Sequence, residues 1–93
     1  MTSPIKVISI RLVENRLGSV RAFADVQIGD ITILDCRIVQ QPHSLPWLGL
    51  PQREYINRNG ERKFAPIVEL SYLLKREVER AVLAEWGRQD ARG

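Results

Sequence analysis

Hydrophobic and polar residues alternate from Ile5 onward with the period of two that is typical of a half-buried β-strand. We predict a first strand there, and its apolar face comprises Ile8, Ile10 and Leu12. The alternation stops at the polar segment 14–18, which predicts a turn into the next strand.

The alternation is clearest across residues 20–28, which predicts a second strand. Its apolar face carries two small residues, Ala22 and Ala24, so a bulky element has room to cross it. Gly29-Asp30 then predicts a two-residue hairpin turn, and the β-branched run 31–39 predicts a third strand antiparallel to the second. The three strands are expected to form an antiparallel meander.

Prolines divide the middle of the chain. Residues 40–46 predict a loop, and residues 47–50 predict a short strand that ends at Pro51, because proline cannot donate a hydrogen bond to a sheet. Further along, apolar residues return on both sides of Asn57-Arg58-Asn59-Gly60, and Asn59-Gly60 suits the positive backbone angles of a tight turn. This arrangement predicts a second hairpin.

After Pro66 the apolar period changes from two residues to that of an α-helix. Apolar residues recur at this spacing at Leu70, Leu74, Val78, Ala81 and Val82. Ser71 is the predicted N-cap of the helix, and Gly87 is its predicted end. We therefore expect an α+β fold in which one C-terminal α-helix packs on an antiparallel β-sheet made of a three-stranded meander, a short strand and a hairpin.

The length of 93 residues fits one domain, which we expect to span 1–93, with residues 5–87 ordered and short tails at both ends. A domain of this size buries a modest share of its surface, so we expect it to form a homodimer. The first residues 1–4 lack the features of a signal peptide, and no apolar run approaches the roughly 20 residues that a membrane helix needs. A cytoplasmic protein without a membrane partner is expected.

Residues that carry catalytic or metal chemistry are few. Cys36 is the only cysteine and belongs to an apolar strand, so we interpret it as a core residue and not as a reactive thiol. His43 is the only histidine, and its loop offers too few ligands for a metal ion. The glycines are isolated turn residues and do not form a phosphate-binding loop. We predict no metal and no cofactor.

The acidic residues do not indicate a catalytic pair. Asp25 and Asp35 are expected to face each other on neighbouring strands, but Arg21 and Arg37 share that face of the sheet. Opposite charges on one sheet face favour ion pairs, and general acid–base catalysis needs a cleft with perturbed carboxyl groups or a histidine. The sequence therefore predicts that the protein is not an enzyme.

The formal net charge of +3 is a mild basic excess, which permits anionic partners without requiring them. Eleven of the 14 cationic residues are Arg, whose guanidinium group suits phosphate, although codon bias in a GC-rich genome produces the same excess. The second hairpin is the candidate nucleic-acid-binding surface, because a basic ribbon can follow phosphates. The candidate residues are Arg53, Arg58, Arg62 and Lys63 in the hairpin, extended by Lys75, Arg76 and Arg80 along the helix.

Both parts of this surface have a simpler interpretation. The hairpin charges could only keep an edge strand from pairing with other chains, and the helix charges at four-residue spacing are typical of a mixed, solvated face. Tyr55 could stack on a base, but an aromatic residue beside Ile56 in a strand is more often in a core or an interface.

Exposed apolar residues suggest where two subunits would meet. Phe23 lies on the polar side of the second strand, so we expect it in a dimer interface. The segment 47–51 has too little sheet of its own to cover it, which makes it the second candidate. The expected interface residues are Phe23, Trp47, Leu48 and Leu50. Trp47 and Trp86 are otherwise expected in the core, because burial of indole rings dominates packing in small domains.

Several short motifs follow one another in a recognisable order along nearly the whole chain. They are Ile10-Arg11-Leu12, Val20-Arg21-Ala22-Phe23-Ala24, Leu34-Asp35-Cys36-Arg37-Ile38-Val39, Leu48-Gly49-Leu50-Pro51, Asn59-Gly60-Glu61, Ala65-Pro66-Ile67 and Ala81-Val82-Leu83-Ala84-Glu85-Trp86. In this order they resemble the SpoVG family, small bacterial regulators named after stage V sporulation protein G and also called septation proteins. Two regions depart from that pattern: Gln41 to Pro46 stands where the family has a Gly- or Asn-rich turn, and the helix start lacks a Ser/Thr-rich opening.

The resemblance implies a dimeric protein that binds DNA and RNA and regulates gene expression, including transcription, without being an enzyme. The departures lie near surfaces that would contact nucleic acid, so the resemblance does not extend to a target sequence. A second hypothesis is a non-enzymatic protein–protein adaptor for division or regulatory proteins, linked to septation, with no direct binding of nucleic acid. Binding to generic DNA or RNA with a steep salt dependence would favour the first hypothesis over the second.

Overall fold

The computed structural model of the chain describes residues 4–13 and 18–90, the last of them by its backbone alone. It contains six strands and one helix: β1 (Ile5–Leu12), β2 (Val20–Ile28), β3 (Ile31–Val39), β4 (Trp47–Gly49), β5 (Gln52–Ile56), β6 (Arg62–Pro66) and α1 (Tyr72–Asp90). The predicted α+β fold is confirmed. The predicted turn at 14–18 falls, except for Gly18, outside the described residues.

Strands β1 to β4 form one antiparallel sheet in the order β1-β2-β3-β4, and β5 and β6 form a separate two-stranded hairpin. The strand β4 is short and pairs only with residues 37–39 of β3. Among the described strands, residues 31–36 of β3 therefore have no pairing partner on the edge that faces away from β2. Two thirds of this edge of β3 is therefore open.

The helix α1 packs on one face of the four-stranded sheet, against β1, β2 and β4, and we call this the inner face. Ala22 and Ala24 of β2 are fully buried there, in one cluster with Val78 and Val82 of α1. Because the alanine side chains are small, they leave room for the valines of the helix, as predicted from β2. The opposite face of the sheet is called the outer face.

Strand β1 departs from the predicted alternation. Its pairing with β2 shifts after Val7, so an extra residue is accommodated by a bulge and the face of each following side chain changes. Ile5, Val7 and Ile10 consequently pack against the core. Ile8, at the bulge, is 47% exposed, so the prediction that it shares the buried face with Ile10 is wrong. Leu12 pairs with the buried Ala22 and lies on the same face as Ile10, as predicted, but it is 48% exposed at the end of the strand.

The helix begins as predicted and ends later than predicted. The backbone N–H of Leu74 donates to Ser71 Oγ at 3.3 Å, and that of Lys75 donates to the Ser71 carbonyl at 2.8 Å, so Ser71 is the N-cap. The helix continues through Gly87 to Asp90. A glycine ends a helix when it adopts a positive φ, and Gly87 does not, so the predicted end is wrong.

The short strand β4 is held to α1 by a side chain. The backbone N–H of Leu48 donates to Glu79 Oε2 at 2.9 Å, which satisfies a donor on the free edge of β4. The Leu48 side chain is fully buried within the subunit, and Leu50 is partly buried against the same core. Leu48 is therefore not available to a second subunit. Trp47 is 48% exposed, so its predicted place in the core is wrong.

Candidate nucleic-acid interface

The predicted second hairpin exists, and its tip is ordered by one side chain. The Asn57 carboxamide oxygen accepts hydrogen bonds from the backbone N–H groups of Asn59 and Glu61, both at 2.9 Å. The Asn57 N–H also donates to the Glu61 carbonyl at 3.0 Å. Of the two residues predicted to need positive backbone angles, only Gly60 has one, with φ of 77°. Arg58 is carried, exposed, on this turn.

The strands β5 and β6 present two chemically different faces. Their register pairs Tyr55 with Lys63, and Arg53 lies on the same face as Tyr55, two residues away. We call Arg53, Tyr55 and Lys63 the basic face. The other side of the ribbon carries the residues of opposite parity, which we call the mixed face: Glu54, Ile56, Arg62 and Phe64.

The basic face combines two cations with an aromatic ring. The Arg53 guanidinium carbon lies 5.5 Å from the centre of the Tyr55 ring, within the range of a cation–π interaction. Lys63 Nζ lies 3.8 Å from a Glu61 carboxylate oxygen, but both side chains are about half exposed, and exposed ion pairs at this distance contribute little. Both cations thus remain accessible to an anionic ligand.

Arg62 is separated from the other hairpin cations. It forms an ion pair with Glu54 on the mixed face, where Ile56 and Phe64 are exposed apolar neighbours. The structure therefore places Arg53 and Lys63 together with Arg58 beyond them at the tip, whereas Arg62 lies on the opposite side, paired with a carboxylate.

The helix cations do not continue the basic face. Arg76 stacks on the exposed Tyr72 ring, with its guanidinium carbon 5.7 Å from the ring centre, and Arg80 follows one turn later on the exposed side. Lys75 lies on another side of α1, where it lines a shallow cavity together with Arg37 and Trp47.

On the outer face, the acidic residues have a different partner from the one predicted. Arg11 donates to Asp25 Oδ2 at 2.8 Å and to Asp35 Oδ1 at 2.6 Å, so the expected pairing of these acids with Arg21 and Arg37 is wrong. The hydrogen bond from Arg11, followed by that from the Asp35 backbone N–H, lowers the pKa of Asp25 to about 2. Periodicity alone could not predict this, because the bulge in β1 sets where Arg11 points.

The sequence did not predict one arrangement of side chains on the outer face. Arg11, Phe23, Arg37 and Gly49 are direct neighbours across the four strands, one residue from each. The alternation marks Phe23 and Arg37, since each is flanked by buried residues. The register that aligns them with Arg11 and Gly49 depends on bulges in the pairing of β2, which the sequence does not mark. We call this set the outer-face row.

The remaining candidate residues behave as structural residues. Cys36 is buried, and its burial raises the pKa of the thiol to about 11, so it is a core residue as predicted. His43 is exposed in the loop, with φ of 62°. The described residues include no cluster of three or more side chains able to hold a metal ion. Within the same residues, no helix has the length and apolar character needed to cross a membrane.

Comparison with known proteins gives no match. No protein-family model, no curated protein and no solved structure matches the chain. The geometry and charge of the chain's own residues are therefore the basis for inference about function.

Proposed function

We propose that this chain is a cytoplasmic, non-enzymatic regulator of bacterial gene expression that binds DNA or RNA as a homodimer, as the SpoVG family does. The observation that supports the proposal most is the basic face of the hairpin. Arg53 and Lys63 flank Tyr55 on one side of an exposed ribbon, and Arg58 extends the same positive charge to its tip.

Binding would occur mainly through phosphates. Guanidinium and ammonium groups release counterions from the nucleic acid when they contact phosphate, which gives affinity without sequence preference. Tyr55, which is 40% exposed, adds an aromatic surface beside these charges. Arg62 contributes less, because Glu54 neutralises it. Lys75, Arg76 and Arg80 would contact only nucleic acid that extends past the hairpin.

The dimer would form through an apolar groove of about 730 Å³ beside the open edge of β3. Exposed Ile31 and Leu34 of β3 line one wall of the groove, and exposed Phe64 and Ile67 line the other. A second copy of the chain fits this surface, because two unpaired β3 edges can pair antiparallel about a two-fold axis and bury both apolar patches. Sedimentation equilibrium at micromolar concentration should give the dimer mass, and a stable monomer would contradict this part of the proposal.

The proposal is tested by binding of labelled single-stranded RNA, single-stranded DNA and duplex DNA at two salt concentrations, measured by fluorescence anisotropy. The double variant Arg53→Ala/Lys63→Ala should bind every sequence more weakly. Its slope of log affinity against log salt should fall by roughly one unit for each phosphate group that the protein no longer binds. The matched control Arg62→Ala removes a cation of the same ribbon from the opposite face and should have a smaller effect.

The result distinguishes the two hypotheses of function. If wild-type protein fails to bind any of the three nucleic acids at low salt, the regulator proposal is wrong and the protein–protein adaptor becomes the better hypothesis. If binding occurs but the double variant keeps its affinity and its salt slope, the hairpin is not the contact surface. The exposed side of α1 with Arg76 and Arg80 would then be tested next.

A further inference from the structure

The outer face of the four-stranded sheet carries aromatic and arginine side chains next to one another. Phe23 on β2 is the direct neighbour of Arg37 on β3, which in turn pairs with Gly49 on β4. Trp47 lies on the same side of β4 as Gly49, because the residue between them, Leu48, is buried on the inner face. Two aromatic rings thus lie on either side of Arg37.

Gly49 allows this arrangement to be compact. A Cβ atom at this position would lie 3.3 Å from Trp47 Cζ3 and 3.4 Å from Arg37 Nη2, closer than most side chains tolerate. The indole edge and the guanidinium group therefore occupy the space above the glycine. Arg37 is further positioned by a hydrogen bond from Nη2 to Gln52 Oε1 at 3.3 Å.

The charge of this face is suited to an anionic ligand. Arg11 is held by Asp25 and Asp35, whereas Arg37 forms no ion pair with any residue that the structure describes. Next to Arg37 and Trp47, a shallow cavity of about 440 Å³ opens between β4 and α1, with Lys75 on its wall. Two cations face that cavity against one carboxylate, Glu69.

We infer that Phe23, Arg37 and Trp47 form a stacking platform for the bases of single-stranded nucleic acid, with Arg37 and Lys75 contacting its phosphates. The inference rests on the proposed nucleic-acid-binding function and narrows its substrate to unpaired strands. Aromatic side chains on an open antiparallel sheet can stack only on bases that are not already stacked in a duplex. The platform is separate from the hairpin, which would contact the phosphates of single-stranded and duplex nucleic acid alike.

The fluorescence of Trp47 provides a direct test. In the variant Trp86→Phe, Trp47 is the only indole of the chain, and its emission should be quenched on titration with a single-stranded oligothymidine. A duplex of the same length should bind through the hairpin without the same quenching. Because Trp47 itself is unchanged, this measurement does not depend on how substitutions on the platform affect folding.

Substitution of the second ring is the complementary test. Phe23→Leu should weaken single-strand binding about 5- to 150-fold, the range expected for loss of one stacked base, while the salt slope stays unchanged. The matched control Tyr72→Leu replaces an exposed ring on α1, outside the platform, the hairpin and the proposed dimer groove, and should leave affinity unchanged. Thermal unfolding of both variants establishes that each is folded at the temperature of the assay.

The outcomes separate the platform from the proposed function. If wild-type protein binds but Trp47 emission does not change and Phe23→Leu behaves as Tyr72→Leu, the platform is wrong and the hairpin remains the binding surface. If wild-type protein binds no nucleic acid, both are wrong. If Trp47 emission changes with protein concentration in the absence of nucleic acid, the outer face is an interface between subunits, which also overturns the platform.

Discussion

The four-stranded sheet and the hairpin are built from strands of the same chain, but different interactions stabilise them. In β2 every second residue from Ala22 onward is buried beneath α1, whereas all five residues of β5 are exposed. The hairpin is held by its backbone ladder, the Asn57 side chain, the Glu54–Arg62 ion pair and two hydrogen bonds at its base. These two bonds run from Ile67 N–H to the Pro51 carbonyl at 3.1 Å and from Arg37 Nη2 to Gln52 Oε1 at 3.3 Å. The comparison shows that stability lies in the sheet and helix, and that the hairpin contributes accessible surface.

The largest change in the free energy of unfolding is expected from a substitution where α1, β4 and the core meet. Leu48→Ala should lower the free energy of unfolding by about 2–5 kcal/mol, because it removes a fully buried side chain and leaves a cavity beneath the helix. Urea denaturation followed by circular dichroism measures the change. Ile56→Ala, which removes the same number of carbon atoms from the exposed mixed face of the hairpin, should cost less than about 1 kcal/mol of the same quantity. Equal losses would mean that the hairpin belongs to the same cooperative core.

A smaller loss of stability is expected at acidic pH, and it should arise in the four-stranded sheet. The pKa of Asp25 is lowered from 3.8 to about 2 in the folded protein, chiefly by the hydrogen bond from Arg11. The carboxylate therefore stabilises the fold at pH values above 3.8, and this contribution is lost as the pH falls from 3.8 towards 2. We expect a loss of about 1–2 kcal/mol across that interval, after screening by solvent is considered.

The matched variant Asp25→Asn isolates this contribution. It should be less stable than wild type at neutral pH and should lose the part of the acid dependence that arises between pH 3.8 and 2. Thermal melts at closely spaced pH values test this expectation. An unchanged pH profile in the variant would show that other carboxyl groups dominate acid unfolding.

The smallest global effect is expected at the tip of the hairpin. Asn57→Ala removes the acceptor of two backbone N–H groups, which should cost about 1–2 kcal/mol of local hairpin stability. Amide exchange across β5 and β6 should accelerate several-fold, while exchange in β2 and the midpoint of urea unfolding change little. A matching acceleration in β2 would contradict the separation of the two regions.

Much of the fold could be predicted because local signals agreed with the final packing. The alternation in β2, the turn at Gly29 and the proline-bounded β4 each depend on residues close in sequence, and each prediction is confirmed. The Ser71 cap is confirmed for the same reason. The errors at Ile8 and Gly87 arise where a bulge and a continuing helix override the local pattern, since a bulge changes which side chains face the core without any marker residue.

The candidate site was predicted less completely because it depends on which residues share a face. The sequence indicates that Arg53, Arg62 and Lys63 belong to one hairpin, but only the register shows that Arg62 lies on the other side of the ribbon. In the same way, the alternation marks Phe23 as unusual, whereas its neighbours Arg11 and Arg37 follow from strand pairing that passes through bulges. Trp47 is exposed because it lies on the outer face of β4, away from α1.

The open edge of β3 has a consequence for the behaviour of the protein at high concentration. Residues 31–34 are uncharged and rich in β-branched side chains, the composition that favours cross-β fibres when an edge is unprotected. Asp35 interrupts this run after four residues with a negative charge and a backbone φ of 60°, a conformation that a growing fibre cannot continue. The charge and the left-handed backbone of Asp35 therefore limit the length of strand that misassembly can use.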